Sequence, residues 1–253
     1  MKRPFDALVA ITALMLLSPI LLATAWLVKL NSPGPVFYSQ LRVGLAGRLF
    51  RLYKFRTMVV GADRLGSSVT RSGDPRVTSL GTWLRRAKLD ELPQFWNVLI
   101  GDMSVVGPRP EVPEIVANYS AEFLKILAVK PGLTSVASVA LYDEEALLAR
   151  ATQPDIAYEQ VFVPFKVRLG MIHVSRQDVW FDLQIVAATV WRLTLGRATA
   201  SADSMRSALY QAIDDLNKNA EQLLATHSLP ASHRVHRGDE MPQGAPGSGA
   251  FIT

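Results

Sequence analysis

The chain alternates between long apolar stretches and short, highly charged ones. From Ala7 to Val28 there is no charged residue, with Lys2 and Arg3 before the stretch and Lys29 after it. Such a run is long enough to cross a bilayer core, which takes about 20 residues as a helix. It is too long for the apolar core of a secretory signal, about 7–15 residues, and it runs straight on into Trp26-Leu27-Val28-Lys29. Ser18-Pro19 falls in its middle, and an internal proline removes an amide donor and breaks a helix. Basic residues flank both ends, so charge gives no orientation. A straight span and a helix broken at Ser18-Pro19 that returns to the same face both fit, with the Ser18 hydroxyl free to serve the carbonyl that proline leaves bare.

Beyond the turn cluster Asn31-Ser32-Pro33-Gly34-Pro35, the pattern predicts strands over Val36–Val43 and Arg48–Met58 around Gly44-Leu45-Ala46-Gly47. Gly61–Thr78 reads as a polar loop or lid. Leu92, Phe95, Trp96, Leu99 and Ile100 recur at helical spacing and predict one buried face, with Asp90 as N-cap and Glu91, Leu92 and Pro93 as the first turn. Helices are expected over Glu111–Leu127, Tyr142–Arg150, Pro154–Met171 and Val179–Leu195, the last capped by Gly196 and carrying Trp180 and Trp191 for a headgroup zone. Ser204–Thr226 reads as an amphipathic helix that packs on the body or makes an intermolecular contact, and residues 227–253 read as a disordered tail. The class is therefore α+β, mostly helical with a small β-hairpin.

Composition narrows the function. Net charge is +5, with a pI of about 9.6 and a mean hydropathy of +0.17, so an anionic partner is expected. Nucleic acid fits poorly, because the basic residues sit beside acidic and membrane-like apolar elements instead of forming an aromatic-interleaved basic face. There is no cysteine, which excludes disulfides and thiolate chemistry. The histidines (His173, His227, His233, His236) lack zinc spacing.

Candidate chemistry centres on Arg85–Met103. Arg85, Arg86 and Lys88 lead into the adjacent carboxylates Asp90 and Glu91. A helix N-terminus at Asp90 would favour ionised carboxylates and phosphate, and a plain capping residue would look the same. Lys54 and Arg56 fall on one strand face, either a solvated edge or a grip for a pyrophosphate. Pro108-Arg109-Pro110 holds an arginine fork between two prolines, either a rigid surface loop or a recognition element. Two adjacent carboxylates at one helix start cannot flank a glycosidic bond from both sides, which argues against a glycosidase.

Taken together, the motifs are more specific than any one of them. Lys-Arg-Pro-Phe-Asp at the N-terminus, Ser18-Pro19, Ser32–Phe37, Arg42-Val43-Gly44, Tyr53–Met58, Asp74–Thr78, Leu89–Gln94, Asn97-Val98-Leu99, Gly101–Ser104, Val106–Glu111 and Lys130-Pro131-Gly132 occur in one order. In that order they resemble the bacterial sugar transferases that prime polysaccharide assembly, the monotopic polyprenyl-phosphate phosphoglycosyl transferases, over about Lys2 to Gly196. The resemblance implies transfer of a sugar-1-phosphate from a UDP-sugar to a polyprenyl phosphate such as undecaprenyl phosphate, with release of UMP. It implies that Asp90 is the nucleophile of a covalent phosphosugar intermediate, that Glu91 assists as base or by positioning, and that Mg²⁺ lies beside Asp90. Lys54, Arg56 and Arg85 become phosphate contacts, and Pro108, Arg109 and Pro110 the nucleotide-binding loop with Arg109 near uridine. The break at Ser18-Pro19 becomes a re-entrant one. The division implied is a re-entrant helix over 1–30, a catalytic domain over 31–200 on the cytoplasmic face of the bacterial inner membrane, and a helix over 201–226. The short N-terminus resembles the minimal catalytic form. Membrane lipids, a second copy or other glycan-assembly proteins are the further partners implied. Relatives commonly carry Asp, Tyr and Ser where Gly170, His173 and Asp178 stand, and many carry an aromatic-Gln-Val run after the Pro131-Gly132 position. These departures leave open altered sugar choice, or a degenerate relative that grips UDP-sugar or anionic lipid as a scaffold.

Overall fold

The computed structural model describes residues 2–66, 69–195 and 207–218. The mixed helix-and-strand class holds. Helices α1 (Lys2–Leu16) and α2 (Ser18–Asn31) are separated by Leu17 and bent by 62°. The bend has a local cause. Pro19 offers no N–H to the Met15 carbonyl one turn back, and the Ser18 hydroxyl donates to that carbonyl instead at 2.8 Å. Among the described residues no single helix is long and apolar enough to cross a membrane, whereas the bent pair together has the length and composition.

The outward faces of the two helices are apolar, and their inward faces mix polar and apolar residues. Asp6, Ala10, Thr24 and Val28 are buried, while Met15, Leu16, Leu22 and Trp26 are 66–73% exposed. Asp6 accepts from the Ser104 hydroxyl at 2.9 Å and from Val105 N at 3.1 Å, while the Arg3 guanidinium donates to the carbonyls of Val98 and Leu99. Lys2 reaches Asp182 at 2.7 Å and the Val106 carbonyl at 3.0 Å. The N-terminal charges, read from sequence as membrane flanks, therefore clamp α1 onto the body.

The hairpin is β1 (Phe37–Val43) and β2 (Leu49–Phe55), antiparallel from Phe37 opposite Phe55 to Val43 opposite Leu49. After α3 (Ser79–Arg86) and a 3-10 turn over Leu89–Glu91 comes α4 (Gln94–Ile100). Strand β3 (Ser104–Val106) follows, then α5 (Pro113–Val116), a 3-10 segment over Phe123–Ala128, and β4 (Gly132–Thr134), which pairs parallel with β3. A Cβ on Gly132 would overlap the Gly107 backbone, so this crossing requires glycine. The chain then forms α6 (Val136–Ala140), α7 (Glu144–Leu148), α8 (Pro154–Ala157), a π turn over Tyr158–Phe162, α9 (Val163–Ser175) and α10 (Val179–Leu195).

Three sequence expectations are corrected. First, Asp90 is not the N-cap of α4. It lies in the preceding 3-10 turn, which begins with Lys88 in the left-handed region at φ 55°, and α4 starts only at Gln94, after Pro93. Second, the expected buried face of α4 is buried only in part. Phe95 and Leu99 pack on the core, but Trp96 and Ile100 are about half exposed, and Gln94, Asn97 and Val98 are the buried residues of the helix. Asn97 turns the helix this way: its amide donates to the Arg51 carbonyl at 2.7 Å and its oxygen accepts from Tyr53 N at 3.1 Å, pinning β2 to α4. Third, the single helix expected over Glu111–Leu127 is only the short α5 and the 3-10 segment.

Helix 207–218 packs on the body, with Leu209 and Ile213 buried against Leu147, Leu148 and Phe162. Gly196, residues 204–206 and 219–226 of the expected helix, and the tail 227–253 lie outside the described residues.

Candidate active site

Asp90 and Glu91 share a short turn but occupy different environments. Asp90 is buried, and its Oδ1 has no hydrogen-bond partner among the described residues. Glu91 receives both arms of Arg109, at 2.6 and 3.2 Å, and Lys54 Nζ lies 3.5 Å away. Strand β2 delivers Lys54, held in place by Asn97 on α4. The Arg109 loop is fixed on two sides: Gly132 N donates to the Pro108 carbonyl at 2.8 Å, and Arg42 donates to the Pro110 carbonyl at 2.9 Å.

This geometry separates the two carboxyls electrically. Burial, then the neighbouring Glu91 charge, pushes Asp90 up to about 6. At Glu91 burial acts in the same sense, but Arg109 and Lys54 outweigh it and hold the group well below the usual carboxylate range. Burial, with Arg109 nearby, lowers Lys54 despite the Glu91 charge. Asp90 is thus ionised at neutral pH because its pKa lies about one unit below, not because it caps a helix. Glu91 takes the close cations.

Of the other sequence candidates, Arg85 lies next to this group. Its Nε donates to the Thr57 hydroxyl at 2.8 Å and an arm pairs with Glu145 at 2.6 Å, and its charge reaches Asp90. Arg56 is not brought to the site. Strand β2 ends at Phe55, so the strand alternation that put Arg56 beside Lys54 stops one residue early. The Arg56 guanidinium is buried and donates to the carbonyls of Pro33 at 2.6 Å and Ser32 at 2.8 Å, bracing the turn after α2.

Behind the Arg109 loop lies a buried network that sequence reading missed. Lys166 Nζ meets Glu111 at 2.7 Å, Glu144 at 3.2 Å and the Tyr158 hydroxyl at 2.9 Å, and that hydroxyl donates to Glu111. Burial opposes the charge on Glu111, yet Lys166 and Arg42 hold its pKa low. A lysine set in the apolar run Val163-Pro164-Phe165-Lys166-Val167 was the available signal.

A cleft of about 380 Å³ opens beside Glu91 and Arg109. Lys88, Glu144, Lys166 and Arg192 line its polar part, while Leu17, Leu92, Phe95, Val105, Leu133, Val186, Val190 and Leu193 form an apolar wall reaching the α1–α2 bend. It joins ionic groups to a hydrocarbon-compatible surface.

Residues 1–196 match the sequence pattern of the family described as bacterial sugar transferase. This chain belongs to that family. Over 198 residues it is 39% identical to the UDP-N-acetylgalactosamine-undecaprenyl-phosphate N-acetylgalactosaminephosphotransferase of Aeromonas hydrophila, covering 77% of this chain and 44% of that one. Over 206 residues it is 36% identical to the UDP-glucose:undecaprenyl-phosphate glucose-1-phosphate transferase of Escherichia coli (strain K12), covering 78% and 41%. It thus spans about two fifths of the length of these relatives. It is also 34% identical over 213 residues to the exopolysaccharide production protein ExoY of Sinorhizobium fredii, covering 78% of this chain and 87% of that one.

The three departures, Gly170, His173 and Asp178, lie away from the cleft wall. Gly170 packs on Ile126 and Pro108, where a Cβ would come within 2.6 Å of Ile126 Cδ1, so the site has no room for an aspartate without rearrangement. His173 sits with Lys2 and Asp182 in the N-terminal clamp, at 3.3 and 3.5 Å. Asp178 accepts from Phe181 N at 2.7 Å and caps α10.

Proposed function

We propose that this protein moves a sugar-1-phosphate from a UDP-sugar to a polyprenyl phosphate, undecaprenyl phosphate by analogy with the named relatives, and releases UMP. The observation that carries the reading is Asp90: a buried carboxylate with an unpartnered oxygen, beside a Lys54–Glu91–Arg109 cluster whose Glu91 and Arg109 line the charged part of a cleft with a long apolar wall. A carboxylate with a pKa of about 6 is ionised at neutral pH and more basic than an ordinary aspartate, which suits a nucleophile. An Asp90 oxygen attacks the phosphorus that bears the sugar. The bond from that phosphorus to the bridging oxygen breaks, and UMP leaves with both electrons. An acceptor phosphate oxygen then attacks the same phosphorus, the bond to Asp90 breaks, and the carboxylate is regenerated. Glu91, held ionised by two cations, is a poor base at neutral pH. Its role is to hold Lys54 and Arg109 where diphosphate charge accumulates.

Among the described residues no three metal-ligating side chains converge. A bare carboxylate oxygen nevertheless fits Mg²⁺, which takes one or two carboxylates and completes its shell with water and substrate phosphates. Asp90 is the residue that would hold it, and the ion would supply neutralisation of diphosphate charge.

The outward apolar faces of α1, α2, α4 and α10, including Trp26, Trp96, Trp180 and Trp191, support seating in a bilayer with the bent pair re-entrant. On this reading the site faces the cytoplasmic side of the bacterial inner membrane, the side that holds UDP-sugars. The test is UMP release from UDP-glucose, UDP-galactose and UDP-N-acetylgalactosamine with undecaprenyl phosphate. Asp90→Asn is expected to abolish both release and trapping of labelled phosphosugar on the protein. Full turnover by that variant removes Asp90 as nucleophile. Cysteine labelling that puts Lys2 and Asn31 on opposite sides of the membrane removes the re-entrant reading.

A further inference from the structure

The cations lining the cleft fall into two sets. Arg109 and Lys166 are held by Glu91, Glu111 and Glu144 at 2.6–3.2 Å. Lys88 and Arg192 flank one aromatic ring, and Arg192 also pairs with the half-exposed Asp143 at 3.7 Å. Lys88 Nζ lies 5.3 Å from the Tyr142 ring centroid and the Arg192 guanidinium carbon 5.1 Å from it, and both residues line the cleft. Lys88 forms no ion pair among the described residues. Its backbone is left-handed, at φ 55° and ψ 20°, a conformation disfavoured for a side-chain-bearing residue and concentrated at functional sites. Tyr142 is fixed by its hydroxyl, which donates to the Arg86 carbonyl at 3.0 Å. Arg192 is 7% exposed and set in an otherwise apolar face of α10, between Val190 and Leu193 on the same cleft wall.

We propose that Lys88, Tyr142 and Arg192 form the receiving site for the phosphate of the lipid acceptor, with its hydrocarbon lying along Val190, Leu193 and Leu17 toward the α1–α2 bend. This rests on the acceptor being a polyprenyl phosphate, as argued above. The assignment between substrates follows from their chemistry. A UDP-sugar is polar throughout and gains nothing from an apolar wall. A prenyl phosphomonoester needs a cationic end and a hydrocarbon channel in continuity, and the Lys88–Arg192 end of this cleft offers both. The cations around Asp90 and Glu91, namely Lys54, Arg109 and Arg85, are left for the diphosphate of the donor. A phosphomonoester that reaches Lys88 and Arg192 gains charge-assisted hydrogen bonds from both.

The test uses the full chain in phosphatidylcholine nanodiscs and measures equilibrium binding of undecaprenyl phosphate against undecaprenol, with phosphatidylglycerol and inorganic phosphate as competitors. Expected are a preference for the phosphate of about tenfold or more over the alcohol, weak competition by either competitor, and loss of the preference in Arg192→Leu and in Lys88→Asn, whose asparagine tolerates the left-handed backbone. Arg192→Lys is expected to restore part of it. In turnover, each loss variant is expected to raise the acceptor KM about tenfold while the UDP-sugar KM shifts less than twofold. Equal binding of phosphate and alcohol, equal competition by phosphatidylglycerol, or equal KM shifts for both substrates would overturn the assignment. Phosphate preference without UMP release by the unaltered protein would leave the site standing and overturn the transferase reading instead.

Discussion

Replacing Glu91 with glutamine keeps the shape of the side chain and removes its charge. Two cations then lose their shared anion: Arg109, which donates to Glu91 at 2.6 and 3.2 Å, and Lys54, at 3.5 Å. Removing one partner of a fully buried ion pair costs about 3–5 kcal/mol. Here Glu91, Lys54 and Arg109 retain 15, 22 and 26% side-chain exposure, so water recovers part of that cost. The net loss is about 2–3 kcal/mol. For a chain of this size each kcal/mol moves the midpoint by about 2–4 °C, so Glu91→Gln lowers Tm by about 4–12 °C. The assay is thermal unfolding in one detergent at fixed pH, completed as a double-mutant cycle with Arg109→Gln. The cycle is expected to return a coupling of at least about 1 kcal/mol, because the second substitution removes a charge already orphaned by the first. A Tm unchanged within error, or two losses that simply add, would refute the claim that Glu91 organises the two cations.

Three further predictions follow from other parts of the structure. Arg56→Met leaves the Ser32 and Pro33 carbonyls without their donor and is expected to cost about 2–3 kcal/mol of stability with the UDP-sugar KM within twofold of the parent. A large KM rise at unchanged Tm would return Arg56 to the substrate. The folded pKa of Glu111 lies below its ordinary value of 4.5, so its contribution is complete above that pH and is lost as pH falls through the folded value. Tm should therefore fall from pH 6 toward pH 3.5, and Glu111→Gln should flatten that slope from a lower starting Tm; an unaltered slope contradicts the ion pair with Lys166. Gly170→Asp presses new atoms against Ile126 and Pro108, and overpacking of this kind costs about 1–3 kcal/mol. A more stable or more active variant would show that α9 has room there after all.

How much of the site was legible in the sequence differs residue by residue. Asp90, Glu91, Lys54 and Arg109 stand close together in the fold, and each lies in a motif whose residue types announce charge chemistry. Arg56 carries the same charge as Lys54 and sits two positions away, yet it serves the turn after α2, because where a strand stops is decided by its partner strand. The α4 periodicity was read correctly as an apolar stripe but assigned wholly to the core, where Phe95 and Leu99 lie while Trp96 and Ile100 face outward. A stripe specifies that a face avoids water and does not specify whether protein or lipid covers it. Lys166, Tyr142 and Arg192 carried little signal, since each becomes informative only when distant segments converge on one cleft.

The sequence alone determined the local facts: the helix break at Ser18-Pro19, with the Ser18 hydroxyl serving the Met15 carbonyl, the hairpin around Gly44–Gly47, the adjacent carboxylates and the ordered motifs that place the chain in its family. These depend on neighbours in the chain, where backbone chemistry and residue spacing leave few alternatives. Tertiary structure alone decided which carboxyl is bare and which is paired. Asp90 and Glu91 are adjacent in sequence and alike in chemistry; in the fold, burial and the Glu91 charge send Asp90 up to about 6, while Arg109 from the loop after β3 and Lys54 from β2 hold Glu91 down. Burial and long-range charge act through space, and the order of residues along the chain does not fix the distances on which they depend.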